Sequence, residues 1–335
     1  MEEVIIKLNN VSKRFGKHVV LSNINLDIKC GEVFGIIGVS GSGKSTILNL
    51  MIGFLEPEVG DVLFRPDQLI DYTKTGTEFR SIYSMPKLLK KFFGFAAQLP
   101  SFYSKLTIRE NLEYYGNLHG LPKDVLQHNI ASLLNFVELE DAANILAENL
   151  SGGMQRRLDI ACALIHDPKV LIMDEPTADL DPILMHHIWS LIRKINKKGT
   201  TVILSSHNLT KLESLCDRIA ILHNKSIAAL GEPDKLKDGY SHSEEIEIQS
   251  YPGKYENIVK KLKSKAIEKI EIRGHKLVII TKQSERVLHD VLHKIETAKE
   301  NLIDVKLSKP SLQEIFLSVA KKQEEDMEED KKDKK

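Results

Sequence analysis

The segment Gly38-Val39-Ser40-Gly41-Ser42-Gly43-Lys44-Ser45 has the form G-x-x-x-x-G-K-[ST]. Residues of these types at this spacing suit a polyphosphate. The glycines let successive backbone N–H groups curl around phosphate oxygens, and a helix starting at the loop adds partial positive charge. Gly38, Ser40, Gly41, Ser42, Gly43 and Thr46 are expected to hold the phosphates. Lys44 would reach the β- and γ-phosphates, and the Ser45 hydroxyl would ligate Mg²⁺. Further along, Val170-Leu171-Ile172-Met173-Asp174-Glu175 sets two carboxylates at the end of an apolar run. Two charges there are costly unless they meet a cation. Asp174 suits Mg²⁺, and Glu175 suits a general base for a water aligned on the γ-phosphate.

Elements must bring these groups together. Val33–Ile37 and Val170–Met173 are all apolar, the pattern of strands buried on both faces. The glycine loop follows the first of these and leads into a helix over Ser45–Gly53, with Ile47, Leu48, Leu50 and Met51 inward. Val4–Leu8 and Val19–Ile28 alternate as strands. Thr107–Ala147 is helical in period, with loops near 120–122 and 138–141. A helix over Ser151–Ile165 aligns Leu158, Ala161, Cys162 and Ile165. Pro182–Lys194 and Leu209–Cys216 read as helices, Thr201–Ser205 as a strand, and Ile219–Leu222 with Ser226–Leu230 as a hairpin. Strand and helix alternate with long crossovers, which predicts a parallel sheet covered by helices, an α/β fold. Residues 61–94, interrupted by Pro66, Gly76 and Pro86, read as a surface insertion with a short helix.

The pattern changes near Gly239. Strands at Glu244–Gln249, Ile267–Ile272, Lys276–Thr281 and Leu302–Leu307 enclose helices at Lys254–Lys263 and Glu285–Thr297. That β-α-β-β-α-β order predicts a small ferredoxin-like α+β domain. An amphipathic helix is expected at Ser311–Val319. The last 15 residues hold 13 charged ones, a composition that reads as a disordered tail. The expected domains are therefore 1–240, 241–320 and a tail at 321–335.

Lys+Arg and Asp+Glu are 47 each. The balance removes the global field that draws a protein to nucleic acid, and no nucleic-acid partner is expected. The longest stretches without a charged residue are 13 long (Phe92–Ser104 and Val125–Val137), too short to span a bilayer. The N-terminus starts acidic and has no apolar signal core, so a cytoplasmic chain is expected. Cys30, Cys162 and Cys216 are an odd number at wide spacing, which suits reduced thiols.

Leu150-Ser151-Gly152-Gly153-Met154-Gln155, opening a helix, resembles the signature of the ATP-binding cassette (ABC) ATPases. Gln98 resembles that family's Q-loop glutamine, Ala178-Asp179-Leu180-Asp181 its D-loop and His207 its H-loop histidine. Phe15 stands where the family stacks an aromatic on adenine. The resemblance covers residues 3–235. It implies a P-loop NTPase cassette with a helical signature subdomain and catalytic roles for Glu175, His207, Gln98 and Lys44. It also implies Mg²⁺ held by Ser45, Gln98 and Asp174. Ser151, Gly152 and Gly153 would cover the γ-phosphate of a second subunit, and Asp181 would lie at that dimer interface. One cassette per chain requires a homodimer or a paralogous partner. Asp179 stands where a Gly or Asn is commoner, and the 37 residues between Gly60 and Gln98 exceed the family norm.

Leu118-His119-Gly120-Leu121-Pro122 and Lys309-Pro310-Ser311-Leu312-Gln313-Glu314-Ile315-Phe316 resemble drug- and lipid-exporter subunits of the daunorubicin-resistance type. That resemblance implies an ATP-hydrolysing export motor at the cytoplasmic face of the cell membrane, driving a transmembrane permease subunit. Leu99-Pro100-Ser101-Phe102-Tyr103 would offer it apolar surface. The small C-terminal domain, which lacks catalytic groups, is expected to regulate or to stabilise the dimer. The alternative is a soluble cassette ATPase acting on ribosomes, nucleic acid or cofactor assembly. It fits less well, because no second cassette, long coiled coil or zinc insertion is present. A guanine-reading N-K-x-D element is also absent.

Overall fold

A computed structural model describes residues 3–66, 78–84, 86–207, 209–240, 244–262 and 266–308. The helix expected at Ser311–Val319 and the charged tail lie outside the described residues. The chain divides into two compact units, 1–232 and 233–335. The sequence-based limit at 240 falls one short helix later.

In the first unit, β1 (Val4–Phe15) and β2 (His18–Lys29) pair antiparallel. They are followed by β3 (Val33–Ile37), α1 (Lys44–Met51), β4 (Val59–Phe64), β5 (Arg80–Ser81), α2 (Pro86–Phe92) and β6 (Phe93–Ala96). Next come α3 (Ile108–Leu118), α4 (Lys123–Phe136), α5 (Gly152–Leu164), β7 (Val170–Met173) and α6 (Pro182–Lys197). The unit closes with β8 (Thr201–Ser206), α7 (Leu209–Leu215), β9 (Arg218–His223) and β10 (Ser226–Gly231).

Six strands form one sheet in the order β10-β9-β3-β8-β7-β6. Five of them run parallel, and only the β9–β10 hairpin is antiparallel. Asn224 and Lys225 make that hairpin turn with φ of 47° and 70°, the doubly left-handed geometry of a tight two-residue turn. All five residues of β3 are buried, because β8 and β9 flank it in the ladder and both its faces are covered. The consequence for chemistry is geometric. In parallel strands all C-terminal ends lie on one edge, where open α/β sheets place ligands. Here that edge carries the glycine loop after β3, Gln98 after β6, Asp174 and Glu175 after β7, and His207 after β8.

The parallel sheet was legible in the sequence, but a second sheet was not. β2, β1, β4 and β5 form a separate four-stranded antiparallel sheet in that order. The segment 61–94 is therefore not simply a surface insertion. Within it, Val62, Phe64, Ile82, Leu89 and Phe92 are buried in one core with Ile5, Leu8, Ile24, Phe34, Ile36 and the inward face of α1. Phe64 sets its ring edge-on to Phe93 at 5.0 Å, linking the antiparallel sheet to the start of β6. The part at 67–77 lies outside the described residues. The 138–146 stretch forms turns rather than helix.

Helices α3, α4 and α5 pack together. Thr107 and Glu110 cap α3 reciprocally, the side chain of each accepting the other's backbone N–H. Strand β6 approaches α5 so closely that a Cβ on Gly94 would collide with Ala163 O.

The second unit starts with α8 (Pro233–Tyr240) and continues through β11 (Glu244–Tyr251), α9 (Tyr255–Lys261), β12 (Ile267–Arg273), β13 (Lys276–Thr281), α10 (Ser284–Thr297) and β14 (Asn301–Ser308). Its sheet is antiparallel throughout, in the order β12-β13-β11-β14. Ile246 and Ile248 face Ile279 and Leu277 across the register and meet Tyr255, Ile258, Val287, Val291 and Ile295 from the helices. Alternation puts Glu247 on the other face, paired with Lys276 at 2.7 Å.

Candidate nucleotide site

The loop after β3 turns twice through positive φ, at Gly41 (77°) and Gly43 (105°), backbone that side chains resist. At Gly43 a Cβ would also come within 2.8 Å of Leu21 Cδ2. Lys44 opens α1 and folds back over the loop. Its Nζ donates to Gly38 O at 3.0 Å and Val39 O at 3.2 Å and pairs with Glu175 Oε1 at 3.4 Å. The Ser42 hydroxyl is buried beneath the loop without a hydrogen-bond partner.

The carboxylates after β7 are both buried, and each has its own partners. Asp174 Oδ1 accepts from Ser205 Oγ at 2.5 Å, and the same hydroxyl accepts from Glu175 N at 3.0 Å. Glu175 Oε2 accepts from His207 N at 3.3 Å and faces His207 Nδ1 at 2.9 Å. Glu175 sits at φ 46°, a left-handed backbone that costs a non-glycine residue about 1–3 kcal/mol and marks functional positions.

Ser40, Gly41, Gly43, Lys44, Ser45 and Thr46 form one wall of a cavity of about 510 Å³. Gln98, Glu175 and His207 face them, and Val20 of β2 completes the lining. Four strand ends thus deliver the predicted residues to one space. The other predicted residues stand outside this lining. Asp174 lies behind Glu175, held by Ser205. Gly38 and Ser42 belong to the loop but not to the lining, and they pack together so that a Cβ on Gly38 would collide with the Ser42 hydroxyl. Phe15 ends β1 half exposed, with Lys13 Nζ 5.5 Å from its ring centre. Ser151 caps α5, its Oγ accepting from Met154 N at 3.4 Å. Ser151 and Gly152 are exposed, while Gly153 packs so tightly that a Cβ would come within 2.7 Å of Leu184 Cδ2. Asp181 caps α6, accepting from Ile183 N at 2.9 Å and Leu184 N at 3.0 Å.

Residues 21–178 match the family described as ABC transporter. Nod factor export ATP-binding protein I of Rhizobium sp. (strain N33) is 32% identical over 317 residues, covering 95% of this chain and 97% of that protein. The chain belongs to the ABC transporter ATP-binding proteins. Linearmycin resistance ATP-binding protein LnrL of Bacillus subtilis (strain 168) is 29% identical over 94% of this chain and 98% of its own length. Among solved structures, cbiO1 from Clostridium perfringens, part of the ABC transporter complex cbiONQ, superposes with a TM-score of 0.62. It is 28% identical and covers 70% of this chain and 91% of its own. This chain is an ABC transporter's ATP-binding subunit, an ATPase that couples hydrolysis to transport.

Reading the ABC cassette from sequence missed Ser205, which links the Asp174 carboxylate to the backbone N–H of Glu175, and Arg156 and Asp159 of α5, buried charges beside Glu175 and the Gln98 segment. A charged i, i+3 pair beside the apolar stripe of α5 was the available signal.

A second cavity of about 400 Å³ lies beside the Gln98 segment, lined in part by Phe54, Leu89, Phe95, Tyr115, His119 and His166. The two imidazoles stack, centroids 3.7 Å apart and 6° from parallel. With Nε2 protonated, His166 donates to Phe93 O at 3.1 Å, which leaves Nδ1 buried and unpartnered. Burial first, then the neighbouring His119, pushes the His166 pKa down from 6.5 to about 4. The sign follows: below pH 6.5 the unfolded chain takes up a proton that the folded chain refuses until about pH 4. Folding stability should fall across that window by up to about 3 kcal/mol on this account. Denaturant unfolding of the full chain at a series of pH values checks this, and His166→Gln should flatten the slope between pH 6.5 and 4. An unchanged slope in that variant would assign the acid sensitivity elsewhere.

Proposed function

We propose that the cavity at the sheet edge is the ATP site and that the chain is the motor of an exporter. The observation carrying this reading is the meeting of Lys44, Glu175, His207 and Gln98 in one space, delivered by four parallel strands. The cavity's size lies within the range of small-ligand sites. The chemistry of its walls fits a polyphosphate: a glycine loop at a helix N-terminus and a buried ammonium, with the unpartnered Ser42 hydroxyl in the same loop.

In this reading Gly38, Ser40, Gly41, Ser42, Gly43 and Thr46 hold the phosphates through the loop and the first turn of α1. Lys44 turns its ammonium from Glu175 towards the β- and γ-phosphates. That move frees the Glu175 carboxylate to accept the proton of the attacking water. His207 keeps Glu175 aimed through Nδ1 and presents its other face to the γ-phosphate. Ser45, Gln98 and Asp174 are the oxygen donors suited to Mg²⁺, which when bound neutralises charge on the phosphates. Phe15, half exposed on β1 and outside the cavity lining, is the proposed adenine platform.

The N-terminus of α5, with exposed Ser151 and Gly152 and the tightly packed Gly153, stands outside this cavity and suits the γ-phosphate of a second copy or a paralogue in a head-to-tail dimer. Asp181, fixed as the cap of α6, would lie at that interface. Among the described residues no helix is long and apolar enough to cross a membrane. The proposed partner is a transmembrane permease subunit. Leu99 and Phe54, 79% and 78% exposed, offer it an apolar surface beside Gln98. We place the chain on the cytoplasmic face of the membrane through that partner. Relatives named for Nod factor export and linearmycin resistance support the outward direction. We read residues 1–240 as the cassette, with α3–α5 as the helical signature subdomain. Residues 241–320 are read as a ferredoxin-like accessory domain, on its β-α-β-β-α-β order, and 321–335 lie outside the described residues.

Glu175→Gln should lower ATP turnover by a factor of about 10²–10⁴, the usual worth of a general base. Turnover at the wild-type rate would remove Glu175 from that role. Mild detergent extraction of the tagged chain from its own membranes should bring down a multi-span protein in one-to-one ratio. Recovery with ribosomes or soluble assembly factors alone would overturn the transporter reading.

A further inference from the structure

Glu175 keeps its left-handed backbone between Asp174 and Pro176, and one side chain holds the carbonyls of both neighbours. Arg156, in the second turn of α5, donates from Nη2 to Asp174 O at 3.0 Å and from Nε to Pro176 O at 2.9 Å. Its Nη1 donates to Ala97 O, next to Gln98, at 2.7 Å and to Asp159 Oδ2 at 3.1 Å. The other oxygen of Asp159 accepts from Ser101 N at 2.9 Å and Ser101 Oγ at 2.7 Å. Arg156 and Asp159 are 8% and 1% exposed. Four of the five guanidinium N–H groups are committed in a fixed planar fork, a geometry that lysine cannot reproduce.

The path has a direction. It begins at Ser101, inside the stretch Leu99–Tyr103 that faces outward beside the apolar cavity. It then passes through a buried ion pair and ends on the two carbonyls that bracket Glu175. On the way it fixes the residue before Gln98. We propose that Arg156 is a positioning residue for hydrolysis: with Asp159 it forms a strut that ties the Ser101 segment to the aim of the Glu175 carboxylate. A partner pressing on that segment would then alter turnover without touching nucleotide. The strut rests on the reading of Glu175 as the base.

ATP hydrolysis by the full chain tests it. Arg156→Lys should lower kcat on the order of tenfold or more, as small misplacements of a catalytic group do, while KM for ATP stays within about twofold. Ser101→Ala, an exposed and mild change that removes one bond to Asp159, should lower kcat about threefold at unchanged KM. The double variant should be no slower than Arg156→Lys alone, because both act through one path. Wild-type kcat in Arg156→Lys overturns the strut, as does a rise in KM at constant kcat, or losses that multiply in the double variant. Should Arg156→Lys fail to fold, Ser101→Ala decides alone: a lower kcat at constant KM supports the strut and an unchanged kcat overturns it. The underlying reading fails separately, when Glu175→Gln turns over like wild type. An inert Glu175→Gln beside a fully active Arg156→Lys removes the strut only.

Discussion

The cassette depends on a charge problem solved at one place. Asp174 and Glu175 are adjacent carboxylates, 6% and 8% exposed, at the end of a strand buried on both faces. Such charges persist only when compensated, and removing a partner from a buried pair typically costs about 3–5 kcal/mol. Lys44 supplies the positive charge for Glu175, Ser205 satisfies Asp174, and His207 takes the remaining oxygen of Glu175. In the proposed function the same arrangement makes the site responsive. A polyphosphate would compete with Glu175 for the Lys44 ammonium, so occupancy of the loop and freedom of the proposed base would be linked through one side chain.

The fold makes this compensation available. Lys44, Glu175 and His207 are far apart in sequence and meet because β3, β7 and β8 are neighbours running in one direction. A one-residue slip of β7 against β8 would turn Asp174 and Glu175 away from Ser205 and His207. The four-residue β7 is pinned against that slip by β6 on one side and β8 on the other, and by the fit of Gly94 against α5. The antiparallel sheet contributes Val20 to the cavity and the core that holds α1, the helix that carries Lys44.

Much of this was legible in the sequence, for physical reasons that differ by element. Val33–Ile37 and Val170–Met173 stood out because strands of a parallel sheet bury both faces and cannot hide their composition. The loop stood out because only glycine tolerates its backbone. β4 did not, since Gly60 and Asp61 break its alternation, and its four-stranded sheet went unseen with it. β6 is four residues long, and Gly94 interrupts its apolar run. Arg156 and Asp159 went unremarked, because a sequence does not show that a charge will find three backbone carbonyls and a partner inside. Phe15 matched by position in the pattern, yet the structure leaves it outside the cavity lining, half exposed at the end of β1.

The central claim is that Lys44 exchanges Glu175 for phosphate. The most direct measurement is the stability that a nucleotide confers on the full chain, with and without that ammonium. A non-hydrolysable ATP analogue with Mg²⁺ at a hundredfold excess over its Kd should raise the unfolding free energy of the wild-type chain by about 2.7 kcal/mol. Lys44→Met should lose most of that gain at the same nucleotide concentration. Equal stabilisation of both chains would contradict the account, because the nucleotide would then be bound without the residue on which the rest of the site is arranged.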